Sequence, residues 1–324
     1  MKNLFNLQTT ALILTAALCA TGCKKLGLEG AGGGGGTTTP PASTHLLTVG
    51  YFNGVARTAA PSDKVSYSLR DIPNGVDIVN IFHRFNELSN LKRGVRQAGA
   101  AEKTLTEILE DVTYLKTKKT RVVETQFMTE IFDNYKDAAK TTKWTNTAAD
   151  YDGYAKSVSD SLTKWGIDGV DLDIEPGFSV GNLTITEQEA LVNAFAKYFG
   201  PSSASKKLLI IDTNVGFSTL GFTKETLAKI DYIYIQDYFG SASSTDEKID
   251  GYIAAGYPKD KIMLIAADFE GSYSSGKTRL KAAYTNPKYI AKTGGFGSYG
   301  INFDYNNKYQ FTIDMIKTLN PQGN

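Results

Sequence analysis

The sequence predicts a single closed, parallel (β/α)8 barrel. Three observations carry that expectation. Eight β-rich runs alternate with helically spaced runs through the body of the 324-residue chain. The fourth run ends in a row of acids, and parallel barrels build their active sites at the C-terminal ends of their strands. The stretch between the seventh and eighth runs, residues 270–295, is too short for an inserted domain, and neither an internal repeat nor a second domain is evident.

In chain order, residues 1–22 read as an export signal. Lys2 supplies the positive start, and Leu12 to Leu18 form an apolar stretch too short to span a bilayer. Ala20-Thr21-Gly22-Cys23 is similar to a bacterial lipobox. That similarity implies a lipid on Cys23 and a tether that spans no membrane, placing the protein at an outer membrane, on its cell-surface or periplasmic face. Residues 23–45 are a linker: a polyglycine run from Gly32 to Gly36, then the stiffer Thr37 to Pro41. Residues 46–324 form the globular body. With Cys19 inside the signal and Cys23 lipidated, the body holds no cysteine, so no disulfide and no cysteine metal site is expected. His45 and His83 are the only histidines. No metal and no cofactor is expected. A formal net charge of +1 gives no electrostatic case for nucleic acid. A monomer is expected.

The strand candidates are Leu46–Tyr51, Asp77–Phe82, Arg121–Gln126, Gly169–Ile174, Leu208–Asn214, Tyr232–Gln236, Ile262–Ala267 and Phe296–Phe303. Between them, Leu105, Ile108, Leu109, Val112 and Leu115 keep helical spacing, as do Tyr154, Val158, Leu162 and Trp165. Thr186 with Glu189 suggests a capping box, and Gly200-Pro201 stops the helix that follows it. Ile313, Ile316 and Leu319 mark the last helix. Further helices are expected around Val65–Arg70 and Asp246–Ala255. The loops after the second and third strands are long. They carry His83, Arg84, Arg93 and Arg96, then Phe127, Phe132, Tyr135 and Trp144, and Trp144 is a candidate for stacking on a sugar face.

The acidic row is Asp168-Gly169-Val170-Asp171-Leu172-Asp173-Ile174-Glu175. Alternation in a strand puts Val170, Leu172 and Ile174 on one face and Asp171, Asp173 and Glu175 on the other, with like charges about 7 Å apart. Such a row is costly to bury unless its members are protonated, hydrogen-bonded or paired. Glu175, last in the row, is the candidate proton donor. Repulsion from Asp173 and Asp171 is expected to raise its pKa toward neutrality. Asp168 lies at the start of the strand and is expected to support structure. Asn53, Asn80, Glu124, Asp212 and Asn214 lie near other strand ends. They either face the pocket or form a polar layer that holds the acids.

The row matches D-G-x-D-x-D-x-E at Asp168, Gly169, Asp171, Asp173 and Glu175, and so resembles glycoside hydrolase family 18. That family includes chitinases, endo-β-N-acetylglucosaminidases and lectin-like members without activity. The resemblance implies substrate-assisted catalysis with retention, in which the acetamido oxygen of the sugar attacks its own anomeric carbon. Glu175 would then be the acid, Asp173 would orient the acetamido N–H, and Asp171 would tune Asp173. It also assigns acetamido contacts to Gln236 and Tyr238. Their Gln-x-Tyr spacing is closer to the endo-β-N-acetylglucosaminidases than to chitinases, which more often show Met-x-Tyr. Chitinases commonly end the eighth strand with a Trp, which this chain lacks. Tyr299, Asn302 or Phe303 would take its place.

The expected function is therefore an endo-β-N-acetylglucosaminidase that cuts the GlcNAc-β-1,4-GlcNAc core of N-glycans on glycoproteins. A small chitinase or other GlcNAc-directed glycosidase is one alternative, and a glycan-binding protein without activity on the same barrel is another.

Overall fold

The computed structural model describes residues 45–53, 68–82, 105–128, 147–180 and 183–322. Eight strands close into one barrel: β1 (Leu47–Phe52), β2 (Ile78–Ile81), β3 (Arg121–Phe127), β4 (Gly169–Asp173), β5 (Leu208–Thr213), β6 (Tyr232–Gln236), β7 (Ile262–Asp268) and β8 (Gly295–Tyr299). Every neighbouring pair is parallel, and β8 returns to pair with β1.

Strand alternation builds two apolar layers. Val79, Val122, Val170, Leu172, Leu209 and Ile233 point outward and pack under the helices. Val49, Ile78, Val123, Ile210 and Met263 point inward and fill the lower interior. Full burial of one such side chain stabilises by about 1.5–3 kcal/mol, so the two layers together dominate the stability of the fold.

Two residues further along five of the strands, on the same inward face, the interior turns polar. Val49 gives way to Tyr51, Ile78 to Asn80, Val123 to Thr125, Ile210 to Asp212 and Tyr234 to Gln236. Because all strands are parallel, these substitutions fall at one end of the barrel. There they surround Asp171 and Asp173 of β4, both buried. The acidic row thus stands in a polar layer over an apolar floor.

The helices wrap the outer layer. Helix α1 (Leu105–Thr117) buries Ile108, Val112 and Leu115. Helix α2 (Ala148–Lys164) buries Tyr154, Val158 and Leu162, and a capping box between Thr147 and Asp150 starts it. Helix α3 (Ile185–Phe195) starts two residues earlier than the sequence suggests. Its capping box is Thr184 with Glu187, because the chain is still extended at Thr184 and Thr186 already lies within the first turn. Glu189 instead accepts hydrogen bonds from the backbone N–H and hydroxyl of Thr223. Helix α4 (Ala242–Ala254) covers the expected 246–255 segment. Helices α5 (Phe269–Tyr284) and α6 (Gln310–Leu319) complete the set of long helices among the described residues. Of the helix expected at 65–70, only residues 68–70 are described, and they enter a 3-10 turn, Leu69–Asp71.

The eighth strand is shorter than its sequence pattern. It stops at Tyr299 because Gly300 adopts φ 69°, a left-handed conformation that breaks the pleat. Ile301–Asn307 then forms a 3-10 helix. This moves Asn302 and Phe303 off the strand and corrects the expected role of Asn302. Its side chain is fully buried, donating to the carbonyl of Asn53 at 2.6 Å and accepting from the N–H of Asn53 at 3.1 Å. It ties the end of β8 to the end of β1 and cannot reach a sugar. Asn302→Ala removes both of these hydrogen bonds to the Asn53 backbone. It is expected to lower stability by about 2–4 kcal/mol in urea denaturation.

Candidate active site

The site begins where β4 ends. Asp171 is buried on the barrel axis, and three donors converge on its Oδ2: Tyr51 Oη at 3.0 Å, Asn80 Nδ2 at 3.0 Å and Thr125 Oγ1 at 2.9 Å. These bonds favour the carboxylate, but burial outweighs them and pushes the pKa of Asp171 up to about 7. Asp173, one step higher, is raised well above the usual carboxylate range. Burial is the main cause, followed by the charges of Asp212, Glu175 and Asp171. Asp173 and Glu175 are hydrogen-bonded to each other, and that bond raises the pKa of Asp173 while it lowers that of Glu175.

Glu175 lies beyond the strand, half-buried on the wall of a cavity of about 390 Å³. A turn fixes its backbone. Its N–H donates to Ser179 Oγ at 2.7 Å, and Ser179 Oγ donates to the carbonyl of Asp173 at 2.7 Å. Its two carboxylate oxygens take separate partners, Asn214 Nδ2 on Oε2 at 2.8 Å and Gln236 Nε2 on Oε1 at 3.3 Å. The pKa of Glu175 is raised, as the sequence suggests, but for a different reason. Burial raises it, while the bonds from Asp173, Gln236 and Asn214 pull it back. The mutual repulsion of the row is felt most by Asp173.

Gln236 also donates to Asp212 Oδ2 at 2.8 Å, so one amide bridges two acids. Asp212 is fully buried, and burial holds its pKa well above normal. Tyr238 and Tyr299 form part of the cavity wall, with ring centroids 6.2 Å apart, and Phe82 meets Tyr299 edge-on at 5.0 Å. Two further carboxylates on the wall are already engaged. Asp237 pairs with Lys248 at 2.9 Å, and Asp268 caps α5 through the N–H of Gly271 at 2.8 Å. Among the described residues, no group of three or more His, Cys, Asp and Glu side chains could hold a metal ion.

The structure thus brings Glu175, Asp173, Asp171, Gln236, Tyr238 and Tyr299 to one end of the barrel. Asp168 supports structure, accepting from the N–H of Val122 at 2.9 Å and pairing with Lys116 at 2.8 Å. Glu124 faces the other way, into the helical layer beside Val122, and is fully buried there. Cys23, Trp144 and the arginines of the loop after β2 lie outside the described residues.

The sequence matches the profile of the endo-β-N-acetylglucosaminidase EndoS TIM-barrel domain over residues 50–271. The chain belongs to this family. Endo-β-N-acetylglucosaminidase F2 of Elizabethkingia meningoseptica is 26% identical over 304 residues, 86% of this chain and 83% of that protein. An endo-β-N-acetylglucosaminidase of Bifidobacterium longum subsp. infantis is 30% identical over 186 residues, which is 55% of this chain and 32% of that longer protein. In three dimensions, an endo-β-N-acetylglucosaminidase mutant from Cordyceps militaris, solved in complex with fucosyl-N-acetylglucosamine-Asn, superposes with a TM-score of 0.61 at 21% identity. The match covers 86% of this chain and 92% of that one. A GH18 chitinase from Pseudoalteromonas aurantia gives 0.54 at 16% identity, over 84% and 99% of the two chains. Both structural likenesses are of fold.

Within this EndoS-type barrel, several site residues escape sequence reading. Tyr51 and Thr125 carry the expected inward spacing, two residues after Val49 and Val123, but look like ordinary strand residues. Ser179 and the aromatic rim residues Phe82, Phe178 and Phe239 belong to no motif. The raised pKa of Asp171 has a measurable consequence. A group whose folded pKa lies above its unfolded value stabilises fully below the unfolded pKa, near 4, and that stability is lost as pH rises through the folded value. Asp171→Asn removes this loss. The melting temperature of the variant minus that of wild type is therefore expected to increase from pH 4 to pH 7 and then level off.

Proposed function

We propose that this chain is an endo-β-N-acetylglucosaminidase that hydrolyses the β-1,4 bond between the two GlcNAc residues of an N-glycan core. One observation carries the mechanism. Glu175 is the only carboxylate on the described cavity wall that is bonded solely within the acidic site, while Asp237 and Asp268 serve an ion pair and a helix cap. Among the described residues, no wall carboxylate is left to act as the partner nucleophile of an ordinary retaining pair. The acetamido group of the substrate supplies that nucleophile. Glu175 gives its proton to the leaving oxygen and afterwards takes one from the attacking water. Asp173, behind it, orients the acetamido N–H and balances the charge of the oxazolinium-like intermediate. Gln236 and Tyr238 complete the acetamido pocket, and configuration at the anomeric carbon is retained.

The chitinase alternative fits less well. The family match is to endo-β-N-acetylglucosaminidases, β8 ends in Tyr299 without a Trp, and only a short segment joins β7 to β8. Side-by-side rates on an N-glycosylated protein and on chitin oligomers test the assignment. Faster glycan release from the glycoprotein is expected, and efficient chitin cleavage with no glycan release would refute it. The lipobox-like sequence at Cys23 supports attachment of the monomeric enzyme to an outer membrane by a lipid. Metabolic labelling with a fatty acid should mark the wild type and not Cys23→Ser, whereas equal labelling would rule out that site.

A further inference from the structure

Two phenylalanines at the mouth of the cavity take no part in the chemistry above. Phe239 is 82% exposed and Phe178 is 64% exposed, the two most exposed large apolar side chains among the described residues. Both line the same cavity as Glu175. Exposed apolar rings clustered at a cleft mark a binding surface more often than an accident of packing.

Neither ring is exposed because its backbone is loose. Phe178 sits in the turn that fixes Glu175, with its N–H on the Glu175 carbonyl at 3.0 Å. Phe239 sits in a clamped loop after β6. The buried carboxylate of Asp237 accepts from Lys248 Nζ at 2.9 Å and from the hydroxyl of Thr245. Arg279 donates to both ends of the loop, to the carbonyl of Asp237 at 3.0 Å and to that of Gly240 at 2.8 Å. Gly240 is required there, since a Cβ would lie 2.1 Å from Asp237 Oδ1. A ring carried on a clamped backbone loses less entropy on binding than one carried on a loose loop.

We propose that Phe239 and Phe178 form a platform that stacks on a pyranose ring of the glycan beyond the two GlcNAc residues at the cleavage point. This rests on the reading of the site as a glycan hydrolase. The reacting GlcNAc must lie on the floor, with its acetamido group toward Asp173, Gln236 and Tyr238, where Tyr299 and Phe82 already supply the aromatic wall. The rim rings are left for a neighbouring sugar. The two rings offer the apolar surface that the face of a pyranose requires.

The test compares two glycopeptides, one with an intact branched N-glycan and one trimmed to the two GlcNAc and the first mannose. In Phe239→Ala, the ratio of kcat/KM for intact over trimmed substrate should fall about tenfold, carried mainly by KM, the size of one aromatic stacking contact. Phe178→Ala should lower it in the same direction, and Phe239→Tyr should restore it. Equal losses on both substrates, or no loss on either, would overturn the platform. If wild type cleaves neither substrate, the hydrolase reading fails separately. Binding of the intact glycopeptide then decides: weaker binding to Phe239→Ala than to wild type upholds the platform, and equal affinity overturns it.

Discussion

Glu175→Gln is expected to slow glycan release by roughly 10²–10⁴-fold, the usual contribution of a positioned general acid. The amide keeps the shape of the side chain and can still accept from Asn214 or Gln236, but it cannot donate a proton to a leaving oxygen. The fold should survive, because Glu175 lies beyond the end of β4 on the cavity wall and outside the apolar layers. The pH profile provides a second reading. Burial raises the pKa of Glu175, so the wild type should hold its active, protonated form above the range where an ordinary glutamic acid has ionised. Activity should fall as pH rises through that raised value. Rates of glycan release by wild type and variant across the pH range check both points, and a variant as active as wild type would contradict the assigned role.

Asp173→Asn is expected to lower kcat by roughly 10²–10³-fold, in line with the loss of one aimed electrostatic contact in a buried site. Asn can still hydrogen-bond, so substrate binding should change less than turnover. What it lacks is a negative charge to develop opposite the oxazolinium-like intermediate. Burial and three neighbouring acids raise the pKa of Asp173, while a cation formed beside it favours its ionised form. Steady-state kinetics on a glycoprotein should show the loss in kcat with KM little altered. A loss confined to KM would place Asp173 in binding alone.

Much of the fold is legible in the sequence because a parallel barrel buries each strand on both faces. Runs such as Leu208-Leu209-Ile210-Ile211 and Tyr232-Ile233-Tyr234-Ile235 have no other stable environment. The acidic row is legible for a related reason, since strand period places Asp171 and Asp173 on the interior face and Val170 and Leu172 on the outer one. What could not be read depends on contacts between distant parts of the chain. The alternation in Phe296–Phe303 continues past the point where Gly300 turns left-handed, so Asn302 resembles a strand residue when it is a buried clamp on Asn53. The direction of the Glu175 shift follows from local crowding, but its cause does not. Asn214 and Gln236 reach Glu175 from β5 and β6 and turn expected repulsion into hydrogen bonding. The exposure of Phe239 depends on Arg279, forty positions further along the chain, and no local pattern announces it.

The central claim is that the substrate's own acetamido group is the nucleophile, with Glu175 the proton donor and Asp173 its support. Proton NMR of the reducing-end GlcNAc, recorded immediately after wild-type enzyme is mixed with an N-glycosylated peptide, tests the retention that this route requires. The β anomer should appear first and mutarotate afterwards, with one GlcNAc left on the peptide. First appearance of the α anomer, or a peptide stripped of both GlcNAc residues, would contradict it.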